Sequence, residues 1–379
     1  MITRFRKGQQ IRQNDLNNII NGLTGRMIGG PGINVRKMAG GMVIDADVRA
    51  GVGARVADAN LFRIDKNDFT MKAKALYSTY PQYRVNLNFN DGKIIFCSNG
   101  EPVRIVDSDT LSLVDYADVQ SEPGAGGLGN NVYSNCVTDS GHIFVNYFLN
   151  NPYEFFVEKY NYSFSLIKSE SYSPFFNNVF IYQNITGINN TTDYVVSSRQ
   201  IHDKNIDSLG TLPSSALSSA HTQGDVFCDD DYIFQAISNT SGTVTPYLGK
   251  YNTDGSVVEL LSSGIDRQRS SLWVDGSDLY YAWSTSPSNW YIEIYDYSLS
   301  KQDELTSSDM PDEIWRPTSI TIDGNYIYFA STVSNKKEIV KMNKTNFNIE
   351  SRRTIPTEGS IRNLRIFGDN VYVICDTGN

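Results

Sequence analysis

From residue 60 onward, short apolar runs alternate with polar turns, and the alternation recurs as a two-part unit. The first part is a polar turn leading into an apolar strand. It reads Asp91-Gly92-Lys93-Ile94-Ile95-Phe96, Ser140-Gly141-His142-Ile143-Phe144-Val145 and Thr192-Asp193-Tyr194-Val195-Val196. It returns at Asp230-Asp231-Tyr232-Ile233-Phe234, Ser277-Asp278-Leu279-Tyr280-Tyr281, Asp323-Gly324-Asn325-Tyr326-Ile327-Tyr328 and Gly368-Asp369-Asn370-Val371-Tyr372-Val373. The second part is an apolar residue, then Asp or Asn, a short polar turn and another apolar run. Its instances are Ile64-Asp65, Val106-Asp107, Tyr160-Asn161, His202-Asp203, Tyr251-Asn252, Tyr295-Asp296 and Met342-Asn343, the fourth being the poorest match. Asp and Asn tolerate the backbone conformations that hairpins need and hydrogen-bond their own backbone.

Each unit spans about 46 residues and holds about four short strands, the size of a propeller blade. The apolar runs alternate with period two and carry no 3.6-residue stripe, which excludes helical repeats. The order of the parts predicts how the ring closes. The last first-part element, at 368–373, has no second part after it, and Phe62-Arg63-Ile64-Asp65 has no first part before it. Joined, they complete one blade shared by both ends of the repeat region, which removes an unpaired sheet edge. The fold class is therefore all-β: a seven-bladed β-propeller over 59–379, closed by N- and C-terminal strand pairing.

Residues 1–58 read as a small helix-plus-hairpin anchor. Asn14 caps a helix over 14–23, with Asp15 in its first turn and Leu16, Ile19, Ile20 and Leu23 on one face. After Gly29-Gly30-Pro31-Gly32, the runs Ile33-Asn34-Val35-Arg36 and Met42-Val43-Ile44-Asp45 predict a hairpin around Gly40-Gly41. So short a segment cannot bury enough surface alone and needs a partner to pack on.

Composition sharpens this division. The net charge is −9, yet residues 1–37 hold seven basic residues, including Arg4 and Arg6, against Asp15 alone. That makes the arm +6 and the remainder −15. An acidic body opposes nucleic-acid binding, while the arm suits an acidic partner. No run approaches the ~18 apolar residues of a membrane helix, and the N-terminus lacks a signal-peptide core, so membrane insertion and ordinary export are disfavoured. The run Gly8-Gln9-Gln10-Ile11-Arg12-Gln13-Asn14-Asp15-Leu16-Asn17-Asn18-Ile19-Ile20, with Gly29-Gly30-Pro31-Gly32-Ile33-Asn34-Val35 and Gly40-Gly41-Met42-Val43-Ile44, resembles the N-termini of tailed-bacteriophage virion proteins. Those share a G-x-x-I-x-A-x-D-L-N stretch, a helix and a Gly-rich turn into a hairpin. Gln13 departs from it, standing where a small residue is usual. The resemblance covers about 45 residues and implies attachment to a particle, with the distal domain exposed for cell contact or capsid decoration. It brings no catalytic residue.

Candidate chemistry is sparse. The four cysteines, Cys97 and Cys375 among them, form no CxxC pair and read as buried thiols. His142, His202 and His221 lack partners at metal-ligand spacing. Asp229-Asp230-Asp231 and Asn252-Thr253-Asp254-Gly255 read as turns rather than calcium loops. Gly124-Ala125-Gly126-Gly127-Leu128-Gly129 is followed by a strand, not the helix a phosphate loop needs, and reads as an insertion. Aromatics crowd the later repeats as Trp283, Trp290, Trp315, Tyr281, Tyr291 and Tyr295. Most suit inter-blade packing. Trp290 and Tyr291, beside the loop Ser286-Pro287-Ser288, are the candidates for stacking on a glycan.

The reading that follows is a non-enzymatic virion structural protein with no cofactor and no metal. Arg4, Arg6, Leu16, Ile19, Ile20, Leu23, Ile33 and Val35 would anchor it to other virion proteins, as a homo-oligomer on the particle. The propeller would meet a host receptor, glycan or capsid neighbour. Two other classes stay open: a polysaccharide-degrading enzyme with its site in the axial funnel, and a bacterial scaffold propeller.

Overall fold

The structure, a computed structural model, describes residues 33–38, 41–46 and 60–376, except 78–84, 98–102, 118–132, 151–152, 173–185, 189–193, 198–199, 213–220, 229–230, 240–244, 287, 311–316, 334–335 and 358. The chain divides into two compact units, Met1–Arg55 and Val56–Asn379. In the first, Ile33–Met38 pairs antiparallel with Gly41–Ala46 in the register Val35↔Ile44, the hairpin expected around Gly40-Gly41. The expected helix over 14–23 lies outside the described residues.

The second unit is a β-propeller. Among its described residues stand seven four-stranded antiparallel sheets. Sheets I to VI are meanders of four consecutive strands, spanning 88–117, 133–172, 186–211, 221–263, 268–306 and 317–354. Sheet VII is composite: Ile361–Phe367, Asn370–Cys375, Leu61–Asp65 and Met71–Ala75, in that order. Leu61 faces Ile374, Phe62 faces Val373 and Ile64 faces Val371 in one antiparallel register. The joining of the two ends of the repeat region, expected from the order of its parts, is therefore direct strand pairing.

Among the described residues, seven apolar clusters join neighbouring sheets. Phe62 and Val373 of sheet VII meet Tyr328 and Ile339 of sheet VI. Leu61 and Ile374, on the opposite side of sheet VII, meet Ile94 and Phe96 of sheet I. Successive strand residues point to opposite faces, so a strand with both faces packed is buried throughout, as over Val371–Cys375. Clusters between I and II (Ile95, Val145), II and III (Val157, Ile206), III and IV (Ile201, Ile233), IV and V (Phe234, Leu279) and V and VI (Ile292, Phe329) complete the circuit.

The Asp or Asn of each repeat builds the same turn between the third and fourth strands. Asp65 Oδ1 accepts the N–H of Asn67 at 2.8 Å, Asp107 that of Thr110 at 2.7 Å, and Asp296 that of Ser298 at 2.9 Å. The turn ends in a left-handed residue, and these are Phe69, Leu111, Phe164, Ile206, Gly255, Leu299 and Phe347, with φ between 54° and 86°. Six of the seven carry a large side chain in a conformation that costs an L residue about 1–2 kcal/mol. Burial offsets that cost: Phe69, Leu111, Ile206 and Leu299 are at most 3% exposed, and burying such a side chain contributes about 1.5–3 kcal/mol. His202, the poorest match in sequence, fills the same buried position as its counterparts, with Nδ1 3.2 Å from the Ile206 carbonyl oxygen.

Candidate recognition face and its aromatic ladder

A four-stranded meander puts its first and third turns at one end and its second turn, with the link to the next sheet, at the other. The two ends differ sharply in regularity. At one end lie the Asx turns and the tight first turns, among them 91–92, 276–277, 324–325 and 368–369. At the other, the links between sheets run from 264–267 and 355–360 up to 118–132 and 173–185. Gly124–Gly129 falls within 118–132, outside the described residues.

The regular end is sewn from sheet to sheet. Two residues before the Asx, sheets II, IV and VI carry Lys159, Lys250 and Lys341, and sheet VII carries Arg63. Lys159 Nζ donates to the Lys204 carbonyl of sheet III at 2.6 Å, and Lys250 Nζ to the Tyr297 carbonyl of sheet V at 2.7 Å. Lys341 Nζ reaches the Lys66 carbonyl of sheet VII at 3.3 Å, and Arg63 the Asp109 carbonyl of sheet I at 2.5 Å. Each acceptor sits one or two residues past the next sheet's Asx. Two of the amines also lie over rings, Lys250 3.8 Å from the Tyr232 centroid and Lys341 4.2 Å from that of Tyr326. A second set of clasps runs from the first strand of one sheet to the first strand of the next or to the segment leading into it. Asp225 Oδ2 accepts the Leu272 N–H at 2.9 Å, Ser319 Oγ the Leu364 N–H at 3.2 Å, and Asn363 Nδ2 donates to the Val85 carbonyl at 2.7 Å. Sequence reasoning missed both sets; the signal was a basic residue at a constant offset from the Asx.

Near the variable end, between sheets IV and V, the rings and one guanidinium form a ladder. Arg267 Cζ lies 3.6 Å from the Tyr247 ring centroid and 3.9 Å from that of Trp283. Trp283 stacks on Tyr291 at 4.2 Å with an interplanar angle of 12°. The order is thus Tyr247, Arg267, Trp283, Tyr291, and only the last is half-exposed. Glu293 anchors the interior: Oε2 accepts from Arg267 at 2.6 Å, Trp283 Nε1 at 2.9 Å and the Tyr295 hydroxyl at 3.0 Å. Burial opposes the Glu293 charge, but Arg267, Lys301 and Tyr295 outweigh it and hold the carboxyl below the usual glutamate range. A carboxylate so held stays ionised and is a poor proton donor at neutral pH.

The same third-strand position explains a glycine. Glu158 of sheet II, like Glu293, accepts the hydroxyl of the tyrosine two residues on, Tyr160. In sheet IV the position is Gly249, and the Tyr251 ring fills the space a side chain would need.

The candidates named from sequence separate as follows. Trp290 is a correction: it is fully buried and packs on Phe329 of sheet VI, with ring centroids 6.0 Å apart. The reason is strand parity. Ser286 pairs with Asn289, so the strand begins at Asn289 and its second residue turns inward. Tyr291, the next residue, turns to the other face and is half-buried against Trp283. Arg4, Arg6, Leu16, Ile19, Ile20 and Leu23 lie outside the described residues, and Ile33 and Val35 stand in the first hairpin strand, their side chains outside the description. The four cysteines are buried, as expected, and burial raises the Cys375 thiol. His142 lies 3.3 Å from Asp139, and burial lowers the pKa of His202. Asn252–Gly255 is a turn, with Gly255 at φ 86°.

No family model matches the chain, and no curated protein matches it. Among solved structures it is similar to the computationally designed Ika8 protein, at 9% identity over 80% of this chain and 99% of that one, with a TM-score of 0.45. It is also similar to BamB from Moraxella catarrhalis, at 11% identity over 86% of this chain and 95% of that one, with a TM-score of 0.43. Neither likeness adds to the strand pairing described above.

Proposed function

We propose that the chain is a non-enzymatic binding protein of a tailed-phage particle, a seven-bladed propeller held by residues 1–58 and displayed through the variable ends of its sheets. The observation that carries the display reading is the contrast between the two ends. One end is consumed by repeated turns and sheet-to-sheet hydrogen bonds; the other holds links of unequal length on the same rigid frame, the arrangement in which loops carry recognition. The aromatic ladder ends there in Tyr291, whose flat ring, backed by Trp283, suits the C–H face of a sugar. A host-surface glycan is the ligand class that fits. The attachment reading rests on the resemblance of Gly8–Ile44 to phage virion N-termini and on the basic charge of the arm.

A glycan array probed with the full chain and with Tyr291→Ala tests the display reading. The expected result is retained binding in the parent and a loss of about 3- to 10-fold in the variant, from one aromatic contact worth about 0.5–1.5 kcal/mol. Release of reducing ends from bound polysaccharide would refute the non-enzymatic reading. Normal incorporation of a chain lacking residues 1–58 into particles would refute the anchor.

A further inference from the structure

The fourth strand of each sheet is its outer edge, and its far side pairs with no other strand among the described residues. What these edges present divides the ring in two. Sheets V, VI and VII show charge: Lys301 and Asp303, Glu350 and Arg352, Lys72 and Lys74 are exposed. Sheets I to IV show apolar residues instead: Val114 is 54% exposed, Leu166 47%, Ile167 52%, Leu209 48%, and Val257 and Val258 45% each. Charged edges resist pairing with another strand, whereas open edges bearing apolar β-formers favour it.

The four apolar edges are not equally suited to a second copy. An isologous antiparallel pair sets each residue opposite its reflection through a central one. For Leu113–Ala117 that centre is Asp115, which would face itself. Ser208–Thr211 is short and holds Gly210. In Val257–Ser263, centred on Leu260, Glu259 would face Leu261 without a countercharge. Leu166–Tyr172 is the self-complementary edge. About Ser169, Lys168 stands opposite Glu170 and Ile167, the bulged residue of the strand, opposite Ser171, so the two-fold axis creates two Lys–Glu pairs. Both charges stand at the surface, with side chains 31% and 46% exposed; within the chain Lys168 lies 3.2 Å from Glu170 and 2.5 Å from Asp207.

We propose that two copies of this chain associate through the outer edge of sheet II, Leu166–Tyr172 of one pairing antiparallel with Leu166–Tyr172 of the other about Ser169. The two sheets then run on as one eight-stranded sheet. The surface is separate from the variable ends, so the inference stands whether or not those ends bind a glycan.

Charge exchange in the full chain tests it, read by sedimentation velocity over a micromolar dilution series. The parent is expected to dimerise. Lys168→Glu or Glu170→Lys alone sets like charges opposite each other twice and should weaken the dimer about tenfold or more. The double exchange Lys168→Glu with Glu170→Lys should restore it. Ile167→Lys should weaken it with no such rescue. Asp207→Asn, which removes the 2.5 Å intramolecular partner of Lys168, should leave it unchanged. Circular dichroism confirms that each variant is folded. A monomeric parent, single reversals without effect, or a double exchange that stays monomeric would each overturn the proposal.

Discussion

The two ends of the propeller sheets use their polar groups in opposite ways. At the Asx-turn end, four of the seven sheets answer a need created by the next: a turn carbonyl is left open, and a lysine or arginine from the preceding sheet fills it. At the variable end the polar groups form local centres, Glu293 with Arg267 and Asp376 with Arg362, and the links around them differ in length. The comparison teaches that regularity here marks the frame. The departure from regularity marks where a partner would be met.

The largest effects should fall on the interior of the ladder and its neighbour. Glu293→Ala leaves Arg267 buried without its carboxylate and should cost about 3–5 kcal/mol. Trp290→Ala should cost a similar 3–5 kcal/mol by emptying the space between sheets V and VI, while Tyr291→Ala costs under about 1 kcal/mol. Denaturant unfolding of the three variants checks both statements, and equal losses at 290 and 291 would refute the assigned parity. Next comes Gly249→Ala, expected to cost about 1–3 kcal/mol by displacing the Tyr251 ring. Pairing it with Tyr251→Phe should recover part of the loss.

Smaller again is the effect of one latch. Lys250→Met keeps the aliphatic stem and removes the bond to the Tyr297 carbonyl together with the cation over the Tyr232 ring, at about 1–2 kcal/mol. The equivalent Lys341→Met should lose no more, since its bond is the longer. Smallest per residue, but repeated, is the acid response of the turns. The hydrogen bonds from Asn67, Thr110 and Ser298 hold Asp65, Asp107 and Asp296 below the usual aspartate range. Because the folded pKa lies below the unfolded one, this stability is present above about pH 4 and is lost as pH falls through the folded values. Replacing the three by Asn, as Asn161, Asn252 and Asn343 already stand in other repeats, should flatten the acid limb of a melting-temperature profile.

Much of the frame was legible because its signals are local. An Asp or Asn between two apolar runs announces a turn, and the order of the parts announced that Leu61–Asp65 would meet Asn370–Cys375. What depends on partners far along the chain was not legible: the lysine latches and the clasps of Asp225 and Ser319, which reach the neighbouring sheet, and the pairing of Arg267 with Glu293, 26 residues apart. Trp290 misled for a subtler reason. Nearness to a loop does not decide which way a side chain points, whereas the residue at which the strand starts does. The large left-handed residues ran against propensity altogether, since Ile206 or Leu299 at that conformation is intelligible only once the pocket that buries it is known.

The closed ring is the claim on which the contrast of the two ends depends, and hydrogen exchange read by mass spectrometry tests it most directly. Peptides covering 61–75 and 361–376 should exchange together, as slowly as the strands of 317–354, because they are one sheet packed between sheets VI and I. Rapid exchange of 61–75 beside a protected 361–376 would contradict the closure and the account built on it.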